Sequence, residues 1–298
     1  MSIMHRPSFY KKYMRRHGQS DRLVDRQSIE PDESIMIFAM FAFSARFSKA
    51  AYFDGTDPVT RGDTFAERAA VIKDPIIRTV EEPSLKFVKG CVLLSCHCLT
   101  AGQISTGAIL TSVCVRLAYN LGLNDIDEDQ INEDGTVGEN EFDDPEAWIR
   151  KEELRRVWWA ISDLDTFVCT MLCQPYGIER RSMRVLLPVS DLLWFEGLPT
   201  KSSILLLQPS QTWKSLQNAP HQSARAWFLV SNHLSSCIAD AARRPSRTSS
   251  DQVAELESAL SCLKLALPAN FQFKDLHIDA TNFADSNWII STHLMILG

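Results

Sequence analysis

The chain has 298 residues, of which 45% are hydrophobic, and its formal net charge at pH 7 is −6. This length and composition allow a sizeable hydrophobic core, in one large or two small domains. The acidic balance argues against a protein whose main task is to grip nucleic acid, because such domains are typically basic. The longest apolar run, residues 35–43, is far shorter than the ~20 residues that cross a bilayer, so we expect no membrane association.

The N-terminal segment is strongly basic. Up to position 29 it has two acidic residues, and its basic residues are Arg6, Lys11, Lys12, Arg15, Arg16, Arg22 and Arg26. Contact between such a patch and DNA phosphates is weak, independent of sequence and screened by salt. We therefore interpret it as a solvated helix face.

Two consecutive amphipathic helices are predicted next. The first begins after Ser84, a good N-cap residue, and ends at Gly102. Its apolar residues recur at steps of three and four, at Leu85, Val88, Val92, Cys96 and Leu99. The second stops at Gly122 and has the apolar positions Ile109, Val113, Leu117 and Leu121.

The segment at 124–148 is acidic. It contains eleven Asp or Glu residues, no Lys or Arg, and glycines at positions 135 and 138. Such a segment lacks the apolar surface that would order it, so we predict a loop over 124–148. The alternative to a plain polar insertion is an activation region.

A third helix is predicted around residues 152–165, which read EELRRVWWAISDLD. Its apolar stripe consists of Leu154, Val157, Ile161, Leu164, Val168 and Leu172. Asp165 lies at the edge of this stripe, and a buried carboxylate there needs a partner. We predict Arg116, which borders the apolar stripe of the preceding helix, as that partner. Glu152 and Arg156, at i and i+4, are expected to form a more exposed pair.

The last part of the chain is also helical. Residues 227–238 read as one helix, and Ser250 or Asp251 caps another with apolar residues at 253, 256, 260, 263 and 267. A polar loop at 242–252 separates them and includes Arg-Arg-Pro-Ser at 243–246, which resembles a basophilic kinase site. Since no alternating pattern predicts a strand, the fold class is all-α, with packed antiparallel helices.

Catalytic and metal-binding patterns are missing from the sequence. It has no G-x-S-x-G, H-E-x-x-H, G-x-G-x-x-G or phosphate loop, so we predict that the chain is not an enzyme. The eight cysteines lie mostly in apolar helical runs and include no C-x2-C pair, which favours buried thiols. Cys169 and Cys173, one turn apart, have no further ligand pair, so no cofactor or metal site is predicted.

Several of these segments together resemble the fungal-specific transcription factor domain, the all-helical regulatory region of fungal zinc binuclear-cluster regulators. The family signature reads E-x-R-R-R-x-W-W followed by a Leu-Asp pair, and this chain has Leu154 where the first arginine is common. Residues 173–175, Cys-Gln-Pro, stand where the family has Gly-x-Pro. The signature residues assigned here are Glu153, Arg155, Arg156, Trp158, Trp159 and Asp165, together with Arg116 from the motif R-x-A-x-x-L-G-L.

The resemblance implies a transcriptional regulator, or a truncated form of one, of a fungal metabolic or secondary-metabolite pathway, located in the nucleus. Its implied partners are other transcription regulators or the transcription machinery, and a small-molecule effector. The alternative is a non-DNA-binding partner that modulates full-length regulators through protein–protein contact.

The resemblance also suggests what this chain lacks. Zinc is expected only in the DNA-binding module that is missing here, so the chain alone should not bind DNA specifically. The regulatory domain is assigned to residues 1–298 and is expected to be incomplete at the C-terminus. The last helix should then leave apolar residues uncovered, namely Trp288, Ile289, Leu294, Met295 and Leu297.

Overall fold

The computed structural model describes residues 2–13, 29–79, 81–132, 136–138, 144–217, 219–272 and 283–297. In this part of the chain the fold is all-α, as predicted, and β-structure is limited to two isolated bridges, Ile131 with Val137 and Leu186 with Ile204. No single helix within it is long and apolar enough to span a membrane, although the bent pair Ile104–Asn120 and Leu123–Gln130 meets the length and composition criteria together.

Eleven α-helices are described in these ranges. They are α1 Arg6–Tyr13, α2 Pro31–Ser44, α3 Asp63–Thr79, α4 Leu85–Thr100, α5 Ile104–Asn120, α6 Pro145–Met171, α7 Asp191–Glu196, α8 Pro209–Thr212, α9 Ala224–Arg243, α10 Ser250–Ala266 and α11 Phe283–Leu297. The long helix α6 lies between two groups. It contacts α4 and α5 of the N-terminal group and α9 of the C-terminal group, so its residues are buried on most sides.

The N-terminal group is built on α4, which is buried around almost its whole circumference. Helix α2 crosses it closely at Gly90, where a Cβ atom would lie 2.6 Å from Ile35 Cγ2 and 3.0 Å from the Met36 backbone nitrogen. Only glycine permits this approach. Ser84 caps α4 as predicted, accepting a hydrogen bond from Phe87 N, and Gly102 and Gly122 follow α4 and α5 with positive φ angles.

The apolar stripe predicted for α5 is wrong at Ile109, whereas Leu117 is buried and Val113 and Leu121 pack against the core as predicted. Ile109 is 69% exposed, whereas Leu110, Cys114 and Ala118 are buried. Helix α5 packs against both α4 and α6, so its buried face is broader than one stripe and is centred one position further along the helix. Hydrophobic periodicity predicts that a segment is helical, but it does not show which other elements pack against that helix.

The acidic loop predicted at 124–148 is partly wrong. Helix α6 already begins at Pro145, and short 3₁₀ turns form at Leu123–Asp125 and Glu128–Gln130. Asp127, between these turns, is completely buried. The segment is ordered there because a buried arginine on α6 binds this one carboxylate, an interaction that composition does not reveal. Residues 133–135 and 139–143 lie outside the described residues.

The C-terminal helices deviate less from the predictions. The polar loop is shorter than predicted and consists of the residues between Arg243 and Ser250. The N-cap of α10 is Ser249, which forms a capping box with Gln252.

Helix α11 packs against α9, which buries Ile289 and partly buries Trp288 against Phe228. The expectation that these two side chains are uncovered is therefore wrong. It holds for the other three residues of that set, Leu294, Met295 and Leu297.

The basic N-terminal segment is described only through α1. Lys12 pairs with Glu33 of α2, and the Arg6 guanidinium lies 5.4 Å from the centre of the Phe195 ring. These two basic side chains contact the rest of the fold, so this half of the patch is more than a solvated face. Arg15, Arg16, Arg22 and Arg26 lie outside the described residues.

The end of α6 contains the one non-glycine residue with a positive φ angle in the described part of the chain. Cys173 has φ 55°, in the left-handed region, at the position where the family pattern has glycine. A side chain there costs about 1–2 kcal/mol. Its exposed thiol offers little compensation, since its Sγ lies 4.0 Å from the Thr170 carbonyl oxygen.

Cys173→Gly should therefore raise the free energy of unfolding by about 0.5–1 kcal/mol, because relief of the left-handed strain exceeds the entropy that glycine adds to the unfolded chain. Urea denaturation of the purified chain measures this change. Cys173→Ala is the matched control: it removes the thiol but keeps the Cβ atom, so no gain is expected. An equal gain in both variants would place the cost in the thiol instead of the backbone.

Candidate functional site around the central helix

The signature residues on α6 form a buried charge cluster. Arg155 is fully buried and binds Asp127 with two hydrogen bonds, from Nε at 2.8 Å and from Nη2 at 2.7 Å. Its Nη1 lies 3.4 Å from Glu152 Oε2. A bidentate pair fixes distance and orientation together. Asp127 also accepts a hydrogen bond from Leu186 N at 2.8 Å, so the pair joins three separate segments.

Arg156 completes the second half of this cluster. Its Nε donates to Glu152 Oε1 at 2.8 Å, its Nη2 donates to the Val189 carbonyl oxygen at 2.6 Å, and its Nη1 pairs with Asp191. The guanidinium also stacks on Trp194, 4.2 Å from the ring centre. Apart from Glu152 on α6, these partners belong to the segment that leads into α7 and to α7 itself.

The predicted Glu152–Arg156 pair exists at i and i+4, but the expectation that it is the more exposed pair is wrong. Both side chains are completely buried, because the segment leading into α7 covers this face of α6. Glu152 Oε1 also accepts a hydrogen bond from Val189 N at 3.1 Å. A pair in this environment contributes to stability only while every partner is present.

The assigned signature residue Glu153 lies at the edge of the cluster and is partly exposed. Its Oε1 accepts hydrogen bonds from Lys89 Nζ at 2.7 Å and from His5 N at 3.2 Å. Burial lowers the pKa of Lys89, and the charge of Glu153 opposes that shift. Glu153 therefore joins α6 to α4 and to the N-terminal segment.

The N-terminal segment closes the cluster. The Ser2 carbonyl oxygen accepts hydrogen bonds from Arg156 at 3.4 Å and from Arg225 at 3.3 Å, and Ile3 is completely buried. Burial and the neighbouring charge of Arg156 lower the pKa of Arg225 to about 10, which still leaves its guanidinium protonated at neutral pH. Arg156 and Arg225 thus both donate to the backbone carbonyl oxygen of Ser2 in this segment.

The two signature tryptophans are core residues. Trp158 packs edge to face on Tyr119 of α5, with ring centres 5.7 Å apart. Trp159 donates from Nε1 to the Leu186 carbonyl oxygen at 2.8 Å. Both rings are buried, so neither is exposed to a ligand. Trp158 joins α6 to α5, and Trp159 joins α6 to the segment that leads into α7.

The predicted pair between Asp165 and Arg116 is wrong. Asp165 is buried as expected, but its carboxylate accepts hydrogen bonds from the backbone nitrogens of Gly177 and Ile178 at 3.0–3.1 Å. Arg116 points to solvent. The turn after α6 supplies N–H groups that a carboxylate can bind, and sequence spacing alone does not show such backbone donors. Asp165 therefore holds the turn that follows the left-handed Cys173.

Sequence reasoning missed Asp127, which is the main partner of Arg155. The available signal was indirect: an arginine within a run of apolar core positions requires a carboxylate, and the acidic segment is the nearest source along the chain. Eleven acidic residues compete for that role in the sequence, and only the fold identifies the one that enters the core.

The charged side chains of the cluster bind one another and nearby backbone groups. In the part of the chain that the structure describes, no group of three His, Cys, Asp or Glu residues is placed to hold a metal ion, and the sequence has no C-x2-C pair. These residues therefore do not fit a zinc centre. Burial raises the pKa of the Cys91 and Cys96 thiols to about 12, so these two core thiols are poor nucleophiles. The buried charge cluster holds the segments that it joins in fixed relative positions.

Asp163, like Asp165, is a carboxylate on α6 that forms no salt bridge within the described residues. Asp163 Oδ1 accepts a hydrogen bond from Asn232 Nδ2 of α9 at 3.1 Å, and the partly buried side chain lines a small cavity together with Arg180. Burial raises the pKa of Asp163 to about 7, although Arg225 and Arg180 act in the opposite direction. The protonation of Asp163 therefore affects the hydrogen bond between α6 and α9.

Removal of the buried guanidinium tests the Arg155–Asp127 pair. Arg155→Met should lower the free energy of unfolding by about 3–5 kcal/mol, because Asp127 is left as an uncompensated buried charge. Urea denaturation measures the loss. Arg150→Met is the matched control on the same helix: its guanidinium is 65% exposed, so ~0–1 kcal/mol is expected. The double variant Arg155→Met/Asp127→Asn should recover part of the loss, and equal losses in the two single variants would contradict this assignment.

The raised pKa of Asp163 predicts a pH dependence. The folded state binds the proton more tightly than the unfolded state, so this contribution to stability is complete below about pH 4 and is lost as the pH rises through about 7. Asp163→Asn should remove that slope and raise the free energy of unfolding at pH 8 by about 1–3 kcal/mol. Denaturation between pH 4 and pH 8 measures it. The exposed Asp54→Asn serves as control, and a slope unchanged by Asp163→Asn would refute the assignment.

Comparison with known proteins places this chain in a family. The family described as the fungal specific transcription factor domain matches residues 1–267. A relative from Fusarium oxysporum f. sp. lycopersici, the Zn(2)-C6 fungal-type transcription factor FTF1c, is 23% identical over 205 residues, which is 68% of this chain and 20% of the relative. FTF1a from the same organism is 24% identical over 191 residues, covering 63% of this chain and 16% of the relative.

A third relative is an uncharacterized transcriptional regulatory protein of Schizosaccharomyces pombe, 23% identical over 192 residues, which is 60% of this chain and 18% of that protein. The chain therefore spans about a fifth of the length of the relatives it matches. No solved structure matches. On the family match, which covers most of its length and includes the whole charge cluster, this chain belongs to the fungal specific transcription factor domain family.

Proposed function

We propose that the chain is a regulatory module of a transcriptional regulator, which acts in the nucleus through contacts with other proteins and serves a fungal metabolic or secondary-metabolite pathway. Its family is a transcription factor domain, and its relatives are named as transcription factors or transcriptional regulators. Because the chain spans about a fifth of those relatives, this proposal concerns the module.

The observation that carries the proposal is the inward orientation of the signature charges. Arg155 and Arg156 are completely buried and their guanidinium groups bind carboxylates or backbone oxygens within the fold. A site for catalysis needs groups that reach a substrate, whereas these groups reach only one another. The cluster instead fixes the relative positions of α4, α6, α7 and α9, so the module acts through the surfaces that this frame holds in place.

Sequence-specific DNA recognition is assigned to a different module. Reading bases takes a helix or strand that is positioned in a groove by phosphate contacts, and this chain has a net charge of −6. We therefore propose that it contains no cofactor of its own and that zinc belongs to a DNA-binding module. Regulation by this chain then depends on a partner or segment that is bound to DNA.

The proposal is tested by tethering. The chain, fused to a heterologous DNA-binding domain, should change the output of a reporter gene severalfold relative to that domain alone, and the free chain should enrich no motif from random duplexes at ~150 mM salt. Fusions with Arg155→Met and Arg150→Met form the matched pair: the first should lose the effect because the frame unfolds, and the second should keep it. An unchanged reporter would contradict the regulatory role, and an enriched motif would relocate DNA recognition to this chain.

A further inference from the structure

A large cleft opens at the C-terminal end of α6, between the turn that follows it, α9 and the start of α10. Its volume is about 1190 Å³. Five arginines line it against three carboxylates, those of Glu179, Asp240 and Glu255. The arginines are Arg180, Arg181, Arg243, Arg244 and Arg247. The cleft is therefore locally positive in a chain whose net charge is −6.

Most of this positive charge is not neutralised within the described residues. Arg243 pairs with Asp240 at 2.6 Å. In the described ranges, no salt bridge joins a carboxylate to Arg181, Arg244 or Arg247, and all three side chains are exposed. This situation is the opposite of that in the buried cluster, where every guanidinium has a carboxylate or backbone partner.

Arg180 is held in place by neutral groups. Its Nη2 donates to Thr166 Oγ1 at 2.9 Å, its Nη1 donates to Ser236 Oγ, and the same nitrogen lies 3.4 Å from His233 Nδ1. Burial lowers the pKa of His233 to about 4, so the ring is neutral and its Nε2–H donates to the Leu207 carbonyl oxygen at 3.0 Å. That bond leaves Nδ1 as an acceptor for Arg180. The guanidinium is thus preorganised by neutral groups, and within the described residues it forms no salt bridge with a carboxylate.

The cleft also has aromatic and apolar walls. The guanidinium groups of Arg180 and Arg243 lie 4.3 Å and 5.8 Å from the centre of the Tyr176 ring. Leu207, Pro209 and Leu256 form part of the lining. A second cavity of about 400 Å³, with mainly apolar walls, shares Ala241, Thr248 and Leu256 with the cleft. Unpaired guanidinium groups beside an apolar wall are complementary to an anion with an apolar body.

From this geometry we infer that the cleft binds a small organic acid, with its carboxylate on the arginines and a flat apolar body against the tyrosine and leucine walls. Guanidinium groups bind carboxylates in a planar, two-point geometry and stack on aromatic rings. The ligand would bridge the turn after α6, α9 and α10. The inference that this ligand regulates the chain rests on the proposed function, whereas the inference that the ligand binds in the cleft does not.

Calorimetry on the full chain tests the binding. The probes are 2-naphthoate, its neutral counterpart 2-naphthol and inorganic phosphate, each titrated at low and at high salt. We expect 2-naphthoate to bind most tightly and to weaken with salt, because partly exposed charges are screened. Equal affinity for 2-naphthol would overturn the anionic assignment, and equal or tighter binding of phosphate would overturn the organic body of the ligand.

A charge-matched pair of triple variants locates the site. Arg181→Gln/Arg244→Gln/Arg247→Gln should raise the Kd of 2-naphthoate by about tenfold or more, since each charge-assisted contact is worth about that factor. Arg78→Gln/Arg116→Gln/Lys264→Gln removes three positive charges from exposed positions outside the cleft and should leave the Kd unchanged within about twofold. Arg180 is kept because it joins α6 to α9. Equal losses in both variants would reduce the effect to net charge and overturn the site.

The tethered reporter separates this inference from the proposed function. If the wild-type fusion changes the reporter and no probe binds, the organic-acid site is wrong and the regulatory role stands. If the probes bind at the cleft and the fusion has no effect on the reporter, the site stands and the regulatory role fails. Thermal unfolding of all variants confirms that a loss of binding is measured on folded protein.

Discussion

The contact between Arg155 and Asp127 is the constraint on which the rest of this structure depends. Both side chains are removed from water, and a charge in that environment is stable only with a partner in good geometry. Asp127 lies outside α6, in the short ordered stretch that follows α5, so the pair fixes that stretch against the central helix. The carboxylate also holds the backbone at Leu186, and through it the segment that leads into α7.

The neighbouring charges extend this constraint across the chain. Glu152 binds both Arg155 and Arg156. Arg156 also pairs with Asp191, and Glu153 pairs with Lys89 of α4. Ser2, near the N-terminus, contributes a carbonyl oxygen that accepts hydrogen bonds from both Arg156 and Arg225. Segments that lie far apart in the sequence thus contact the same set of buried charged side chains. Such a network is cooperative, since each unpaired member would carry a desolvation cost that the others cannot offset.

Arginines have opposite roles in the middle of α6 and beyond its C-terminal end. In the middle of the helix, arginines are buried and bound to carboxylates, and they provide rigidity. Past its C-terminal end, arginines line an open cleft and several of them have no carboxylate within the described fold. The difference lies in solvation: a buried guanidinium must be neutralised by the protein, whereas one at a cleft wall can be solvated by water until a ligand displaces it. A rigid frame beside an open basic cleft is consistent with a module that transmits a small-molecule signal.

The sequence by itself determined the all-helical class, the main helices and several of their ends, because periodicity, Ser84, Gly102 and Gly122 act locally. It also identified the signature residues on α6 and the burial of Asp165. It did not determine their partners. Asp127 stands among ten other acidic residues in its segment, the donors to Asp165 are backbone N–H groups, and the pair Glu152–Arg156 became buried only when the segment before α7 covered it. These outcomes, like the side of α5 that faces the core, depend on which elements meet, and contacts between distant segments leave no periodic trace in the chain.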